Sequence, residues 1–167
     1  MVITQAYAKY NRKLILDKAA AIMHKINGAN VDGIIGTTHN YLDFQDLVIR
    51  KGAIRSYAGE LVVIPFNMRD GIAIAEGLSN EDWNYSAPHG SGRVMSRTAA
   101  RRNLTMTGFK KEMQGVYSTC ITPDTLDESP SAYKPTESIL EAVSPTCRVL
   151  YILKSKINLK ATNNGNL

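Results

Sequence analysis

The chain has 167 residues, 44% of them apolar, and a formal net charge of +5. That length gives one domain with room for a sizeable core. The mild positive balance leans toward anionic partners without specifying a nucleic acid. No apolar run approaches the roughly 20 residues of a membrane span, the opening residues lack a signal-peptide pattern, and Cys120 and Cys147 form no metal-type pair, so a reduced, cytoplasmic setting is expected.

Residues 3–26 read as a helix, with Ile3, Tyr7, Tyr10 and Leu14 on one stripe that continues through Ile15, Ala19, Ile22 and Ile26. Asn27-Gly28 is its stop signal, its role is structural, and His24 reads as a surface or capping residue. Residues 31–46 are loop-like and include His39-Asn40, which on residue type alone is a polar loop pair. Residues 47–54 and 60–65 are strand candidates, the second carrying the β-branched run Leu61-Val62-Val63-Ile64, with Tyr57-Ala58-Gly59 as the turn between them. Lys51 is, on pattern, a solvent-facing strand lysine. Residues 65–74 are irregular and then extended, and residues 77–84 form a turn-rich link.

The stretch from Ser86 to Arg102 organises the chain. His89 is followed by Gly90-Ser91-Gly92, and then by Arg93, Arg97 and Arg101 at intervals of four. The glycines let backbone approach a ligand closely, and on a helix the arginines stack along one face. That combination suits a ligand with several phosphates, and a histidine beside it is a candidate nucleophile. Three arginines at this spacing equally fit a solvated helix face. Further on, residues 105–115 read as a helix capped by Thr105 or Thr107. Asp127 and Glu128 suggest a carboxylate pair, but adjacent side chains point apart. Pro135 opens a helix to about Val143, residues 147–153 form a strand, and the polar tail 162–167 is expected to be disordered. The pattern as a whole is α+β, a mixed sheet with flanking helices.

His89-Gly90-Ser91-Gly92-Arg93-Val94-Met95-Ser96-Arg97 resembles the histidine loop of the RtcB RNA ligases, His-Gly-Ala-Gly-Arg-x-x-Ser-Arg. Other matches follow in order: Thr38-His39-Asn40-Tyr41, Ile49-Arg50-Lys51-Gly52-Ala53, Asn67-Met68-Arg69-Asp70-Gly71, Asp127-Glu128-Ser129-Pro130 with Ala132-Tyr133-Lys134, and a closing Lys160. The resemblance covers residues 1–161 and corresponds to the C-terminal half of such a ligase. It implies a GTP-dependent enzyme in tRNA splicing or RNA repair, joining an RNA 3′-phosphate or 2′,3′-cyclic phosphate to a 5′-hydroxyl through GMP bound to His89. It implies guanylate contacts from His39, Asn40, Lys51, Pro65, Phe66, Asn67, Met68, Ile72, Gly90, Ser91, Gly92, Tyr133 and Lys160, and RNA-phosphate contacts from Arg93, Arg97 and Arg101. His39 also matches a ligand of the family's two manganese ions. Phe66 stands where glycine is common and Ile72 where serine is common. The family's N-terminal motifs Asp-x-Gly-Cys-Gly and Asn-His, which carry most metal ligands, do not occur here. The implied partners are RNA, with no membrane, and a separate N-terminal half supplying metal ligands. The alternative is a truncated remnant or split half that binds guanylate or RNA without ligating alone.

Overall fold

The computed structural model describes residues 2–160, so the expected tail at 162–167 lies outside the described residues. In chain order the elements are α1 (Val2–Asn27), β1 (Asn40–Asp43), β2 (Val48–Lys51), β3 (Ala53–Arg55), β4 (Leu61–Pro65), β5 (Ile72–Gly77), β6 (Ser86–Pro88), α2 (Arg97–Asn103), α3 (Met106–Glu112), α4 (Thr136–Val143) and β7 (Cys147–Leu153). Short 3-10 segments at Glu81–Trp83, Pro123–Glu128 and Pro130–Ala132 fill three of the links. The class is α+β, as expected. The named strands pair antiparallel in the sheets β1-β2, β3-β6 and β4-β5-β7; parallel pairing occurs at the isolated bridges Ala58–Gly77 and Tyr117–Ile157. Among the described residues no helix is long and apolar enough to cross a membrane.

Helix α1 forms where the periodicity placed it and closes at Gly28, whose N–H donates to the His24 carbonyl at 2.8 Å. It buries none of its residues, and Ile3, Tyr7, Tyr10, Leu14, Ile15, Ile22 and Ile26 are all exposed. Polar contacts attach it to the body: the Gln5 amide pairs with both backbone groups of Leu42 (2.7 and 3.2 Å), and Arg12 donates to Thr38 Oγ1 at 3.2 Å.

Three sequence expectations are corrected. The region 31–46 contains β1, a strand completed by pairing with β2. The expected strand 47–54 breaks at Gly52, whose φ of 69° redirects the chain from β1 to β6. The helix expected to carry Arg93, Arg97 and Arg101 begins only at Arg97, with the Ser96 hydroxyl accepting from the Ala99 N–H at 3.1 Å. Arg93 lies before it because the chain there is drawn into a bridge with Tyr133, flanked by Val94 N–H to Ala132 O (2.9 Å) and Lys134 N–H to Gly92 O (3.2 Å). Gly92, at φ 65°, is also incompatible with a right-handed helix start.

The main core gathers Ile54, Val62, Ile64, Phe66, Ala73, Ala75, Ala87, Ile139, Val143 and Cys147 from the sheet strands and α4. The alternating burial of β4 and β5 is the period-2 pattern of a one-sided sheet. Met68, Phe109 and Met113 form a smaller cluster under α3, whose cap is Thr105, accepting from the Gly108 N–H at 3.1 Å.

The β4–β5 connection turns at Gly71, which has φ 84° and sits so close to β7 that an added Cβ would collide with the Leu153 carbonyl oxygen. Gly71→Ala is therefore expected to lower the unfolding free energy by at least about 2 kcal/mol. Gly33→Ala, with nothing within 4 Å of the added carbon, should be near neutral. Chemical denaturation of the two variants checks the contrast, and equal stabilities would contradict the packing of Gly71 against β7.

Candidate functional site

A cavity of about 510 Å³ is lined by Pro65, Phe66, Asn67, Met68, Gly71, Ile72, His89, Gly90, Ser91, Gly92, Arg93, Tyr133, Ser155, Asn158 and Lys160. Its volume lies within the roughly 300–1,000 Å³ usual for small-ligand pockets. The motifs that the sequence holds apart therefore meet at one wall. Gly71, the last residue of the Asn67–Gly71 motif, belongs to the same wall, as do Ser155 and Asn158, which carried no sequence signal. His39, Asn40, Lys51, Arg97 and Arg101 do not line this cavity.

The turn 67–70 is built by its own side chains. Asn67 Oδ1 accepts from the N–H groups of Arg69 (3.0 Å) and Asp70 (2.9 Å), and its Nδ2 donates to Asp70 Oδ2 at 2.7 Å. Phe66 is 3% exposed and belongs to the main core, so its bulk is absorbed by the fold. The histidine loop is pinned to this turn, with the Ser91 N–H donating to Pro65 O at 3.1 Å and Ser91 Oγ to Phe66 O at 2.5 Å. His89 N–H donates to Gly52 O at 3.3 Å. These two amides serve the fold, where the sequence pattern had suggested a ligand cradle.

The His39 and His89 rings lie 4.0 Å apart between centroids, tilted by 42°. The surrounding protein first, and then the neighbouring His89 and Arg12, hold His39 below the ordinary imidazole value, which favours its neutral, metal-competent form. Asn40 Oδ1 accepts the Gly52 N–H at 2.9 Å and so stabilises the strand break. Lys51 is exposed on β2. Its neighbour Arg50 is the buried residue there, paired with Asp43 at 2.8 Å and Asp46 at 3.2 Å and donating to Ser86 Oγ at 2.9 Å. Among the described residues no group of three or more His, Cys, Asp or Glu side chains converges as a metal site. The described residues do not make up a manganese centre, since among them His39 has a histidine partner and no converging group of carboxylates or thiolates.

The arginines converge on Asp127 and Glu128. Arg97 reaches Asp127 Oδ2 (3.2 Å) and Glu128 Oε1 (3.4 Å), and Arg101 reaches Asp127 Oδ1 at 2.9 Å. Arg93 donates to the Asp127 and Met95 carbonyls and to Tyr133 OH, lies 4.9 Å above the Tyr133 ring, and sits 3.6 Å from Glu128 Oε1. Glu128 Oε2 in turn accepts from Tyr133 OH and Lys160 Nζ, both at 2.6 Å. The adjacent carboxylates join one network through the cations that they share. The signal that could have found it was charge complementarity with the three arginines. Burial raises the Glu128 carboxyl, but the hydrogen bonds from Lys160 and Tyr133 and the nearby cations outweigh it and leave the group below its ordinary value.

A second cavity, about 550 Å³, adjoins β1 and β3. Its charged lining is already matched within itself, Arg55 pairing with Glu60 at 2.6 Å and lying 3.9 Å from Asp43, so it offers no comparable chemistry.

Burial and the hydrogen bond to Glu128 push the Tyr133 phenol up from 10.0 to about 12. A value raised in the folded state means that the stabilisation is complete below about pH 10 and fades as the pH rises toward 12. The phenolate absorbance difference between the parent chain and Tyr133→Phe should therefore show one ionisation near pH 12. A step near the ordinary value would show that the Glu128 contact does not form in solution.

The family model described as tRNA-splicing ligase RtcB matches residues 1–161. The RNA-splicing ligase RtcB of Escherichia coli K12 is 29% identical over 169 residues, covering 93% of this chain and 41% of the relative. RNA-splicing ligase RtcB1 of a second Escherichia coli strain is 30% identical with the same coverage, and the tRNA-splicing ligase RtcB of Archaeoglobus fulgidus is 28% identical over 86% of this chain and 36% of its own. The chain therefore spans about two fifths of the length of these relatives. With the family model covering the whole described body, this chain belongs to the RtcB tRNA-splicing ligase family.

Proposed function

We propose that this chain is the nucleotide-bearing part of a GTP-dependent RNA ligase, with His89 as the nucleophile. An imidazole nitrogen attacks the α-phosphorus of GTP, a P–N bond forms and the bond to pyrophosphate breaks. GMP then passes to an RNA 3′-phosphate, and a 5′-hydroxyl displaces it to join the two ends. The observation that carries this reading is the meeting of His89, the 65–68 turn, Tyr133 and Lys160 around one cavity of about 510 Å³. Lys160 and Tyr133 face the base, while His89 stands at the phosphate. The exposed guanidiniums of Arg97 and Arg101, 71% and 49% accessible, face the RNA backbone. The remaining metal ligands come from a second polypeptide corresponding to the part of the relatives that this chain does not span, and His39 joins them there.

Supplied with that complementary polypeptide, GTP and manganese, the chain should acquire covalent GMP on His89 through an acid-labile, alkali-stable bond. His89→Ala should abolish the label, whereas His24→Ala, at the exposed end of α1, should retain it. Peptide mapping to another residue would remove His89 from the role. A folded complex that takes no label would favour the alternative, a remnant that binds guanylate or RNA without ligating.

Arg97→Ala should weaken RNA binding and reduce the slope of log affinity against log salt by about one phosphate contact. Titrations at several salt concentrations measure it, and an unchanged slope would confine Arg97 to its pairing with Asp127 and Glu128.

A further inference from the structure

Helix α1 turns a polar stripe toward the body. Gln5 and Ala8 are half-buried there, and Gln5, Ala8, Lys9 and Arg12 follow the i, i+3, i+4, i+7 spacing of one helix face. Across from them stand Thr38, Asn40 and Tyr41, and the two sides enclose a third cavity, of about 340 Å³. Lys9 and Arg12 bring two positive charges to it, and no carboxylate lines it. Among the described residues the Lys9 ammonium has no ion-pair partner, and the hydrogen bond that Arg12 makes is to the Thr38 hydroxyl, at 3.2 Å. The next cation along the helix, Lys13, is by contrast neutralised by Asp17 at 2.6 Å. Like charges held side by side without a counter-charge create a local positive potential that an anion relieves.

This cavity adjoins the histidine pair and is separate from the nucleotide wall. Thr38 and Asn40, which line it, flank His39 in sequence, and the His39 ring is 4.0 Å from that of His89. The positive charge of Arg12 is felt at His39. None of the residues lining the cleft lines the cavity of about 510 Å³. An anion seated here is therefore a second one, on the His39 side of the pair, and not the nucleotide held beside Tyr133 and Lys160. At about 340 Å³ the cleft has more room than one phosphate group needs, which suits a phosphate carried by a larger chain. Its polar groups are a lysine, an arginine, a threonine hydroxyl and two side-chain amides, the kinds that contact nucleic-acid phosphates.

We propose that the cleft between α1 and β1 binds a backbone phosphate of the RNA strand, with Lys9 and Arg12 as its counter-charges. The proposal rests on the RNA-ligase reading given above. It gives α1 a part in substrate binding and leaves the cavity of His89, Tyr133 and Lys160 to the nucleotide. The contact is electrostatic and independent of base sequence, as phosphate contacts are.

Fluorescence anisotropy of a labelled oligouridylate, titrated with the full chain at several salt concentrations, tests this. Lys9→Gln and Arg12→Gln should each weaken binding by about 5-fold at about 0.1 M salt and lower the slope of log affinity against log salt by about 0.7, the value for one contact to a single strand. Lys13→Gln removes the same charge from the same helix, but from a group already paired with Asp17, and should change neither. Arg12→Lys should keep the slope, as should Thr38→Val, which breaks the tie between Arg12 and the body without removing a charge. GMP affinity, measured by calorimetry, should be the same in all of these variants. If Lys13→Gln acts as strongly as the other two, the general positive charge of α1 attracts the RNA and the cleft is not a site. If Thr38→Val lowers the slope as far as Arg12→Gln, Arg12 acts by holding α1 in place and not by meeting a phosphate. If the parent binds the RNA and neither Lys9→Gln nor Arg12→Gln alters the slope, the strand lies elsewhere and the ligase reading stands without this proposal. Weaker GMP binding with an unchanged RNA slope would assign the cleft to the phosphates of the nucleotide. A parent chain that binds no RNA overturns the proposal, while the covalent labelling of His89 decides the ligase reading separately.

Discussion

The buried carboxylate of Asp127 is the constraint on which the site depends. Its side chain is 1% exposed, and a carboxylate taken out of water without compensation costs several kcal/mol. Arg97 and Arg101 supply that compensation through its two oxygens, and Arg93 holds its carbonyl. These contacts clamp the 3-10 segment at Pro123–Glu128 against α2 and the histidine loop. Glu128, one residue on, inherits a fixed position from that clamp. From it hang Tyr133 and Lys160, the polar groups of the far wall of the cavity. Arg97 and Arg101 are largely solvent-exposed, so the individual pairs contribute modestly. Their effect lies in geometry, since one carboxylate pair orders four cations and a phenol from separate stretches of chain.

The sheet provides the second half of the arrangement. β5 pairs with both β4 and β7, and the register sets Ile72 opposite Pro65 on one side and Leu153 on the other. The β4–β5 turn and the chain leaving β7 are therefore at the same end of the sheet. The His89 loop reaches that end because Ser91 bonds to the carbonyls of Pro65 and Phe66. Lys160, though 71 residues beyond His89 in sequence, lines the same cavity because β7 delivers it there. Tyr117 and Cys120 then fix the segment after β7 by backbone and sulfur hydrogen bonds.

The elements legible in the sequence were those whose signal is local. α4 follows Pro135, β7 carries the apolar run Val149-Leu150-Tyr151-Ile152-Leu153, and Thr105 caps α3 through its own hydroxyl. β1 and β6 were not legible, because strands of four and three residues have too little pattern of their own and exist through their pairing with β2 and β3. The spacing of the arginines was real, yet it misplaced Arg93, because the bridge to Tyr133 overrides helical periodicity at that point. Most of the pocket lining was readable as motifs, by resemblance. Asn158 was not, since its place in the wall is created only by the tertiary fold. Arg50 shows the same limit: beside a noticed Lys51, it is the residue that the fold buries.

Helix α1 carries the argument beyond this pocket. Helices in proteins owe most of their stability to a packed apolar face, and α1, at 26 residues, buries none of its own within the described residues. The family match includes it. Its isoleucines, leucines and tyrosines are thus surface whose partner is not among the described residues, as are the co-ligands that His39 would need to hold a metal. Both shortfalls are of the kind that further polypeptide corrects, one by apolar burial and the other by carboxylate, thiolate or imidazole donors. The relatives carry about three fifths of their length beyond what this chain matches. The Asp127–Glu128 network and the β4-β5-β7 sheet, by contrast, close on themselves among the described residues.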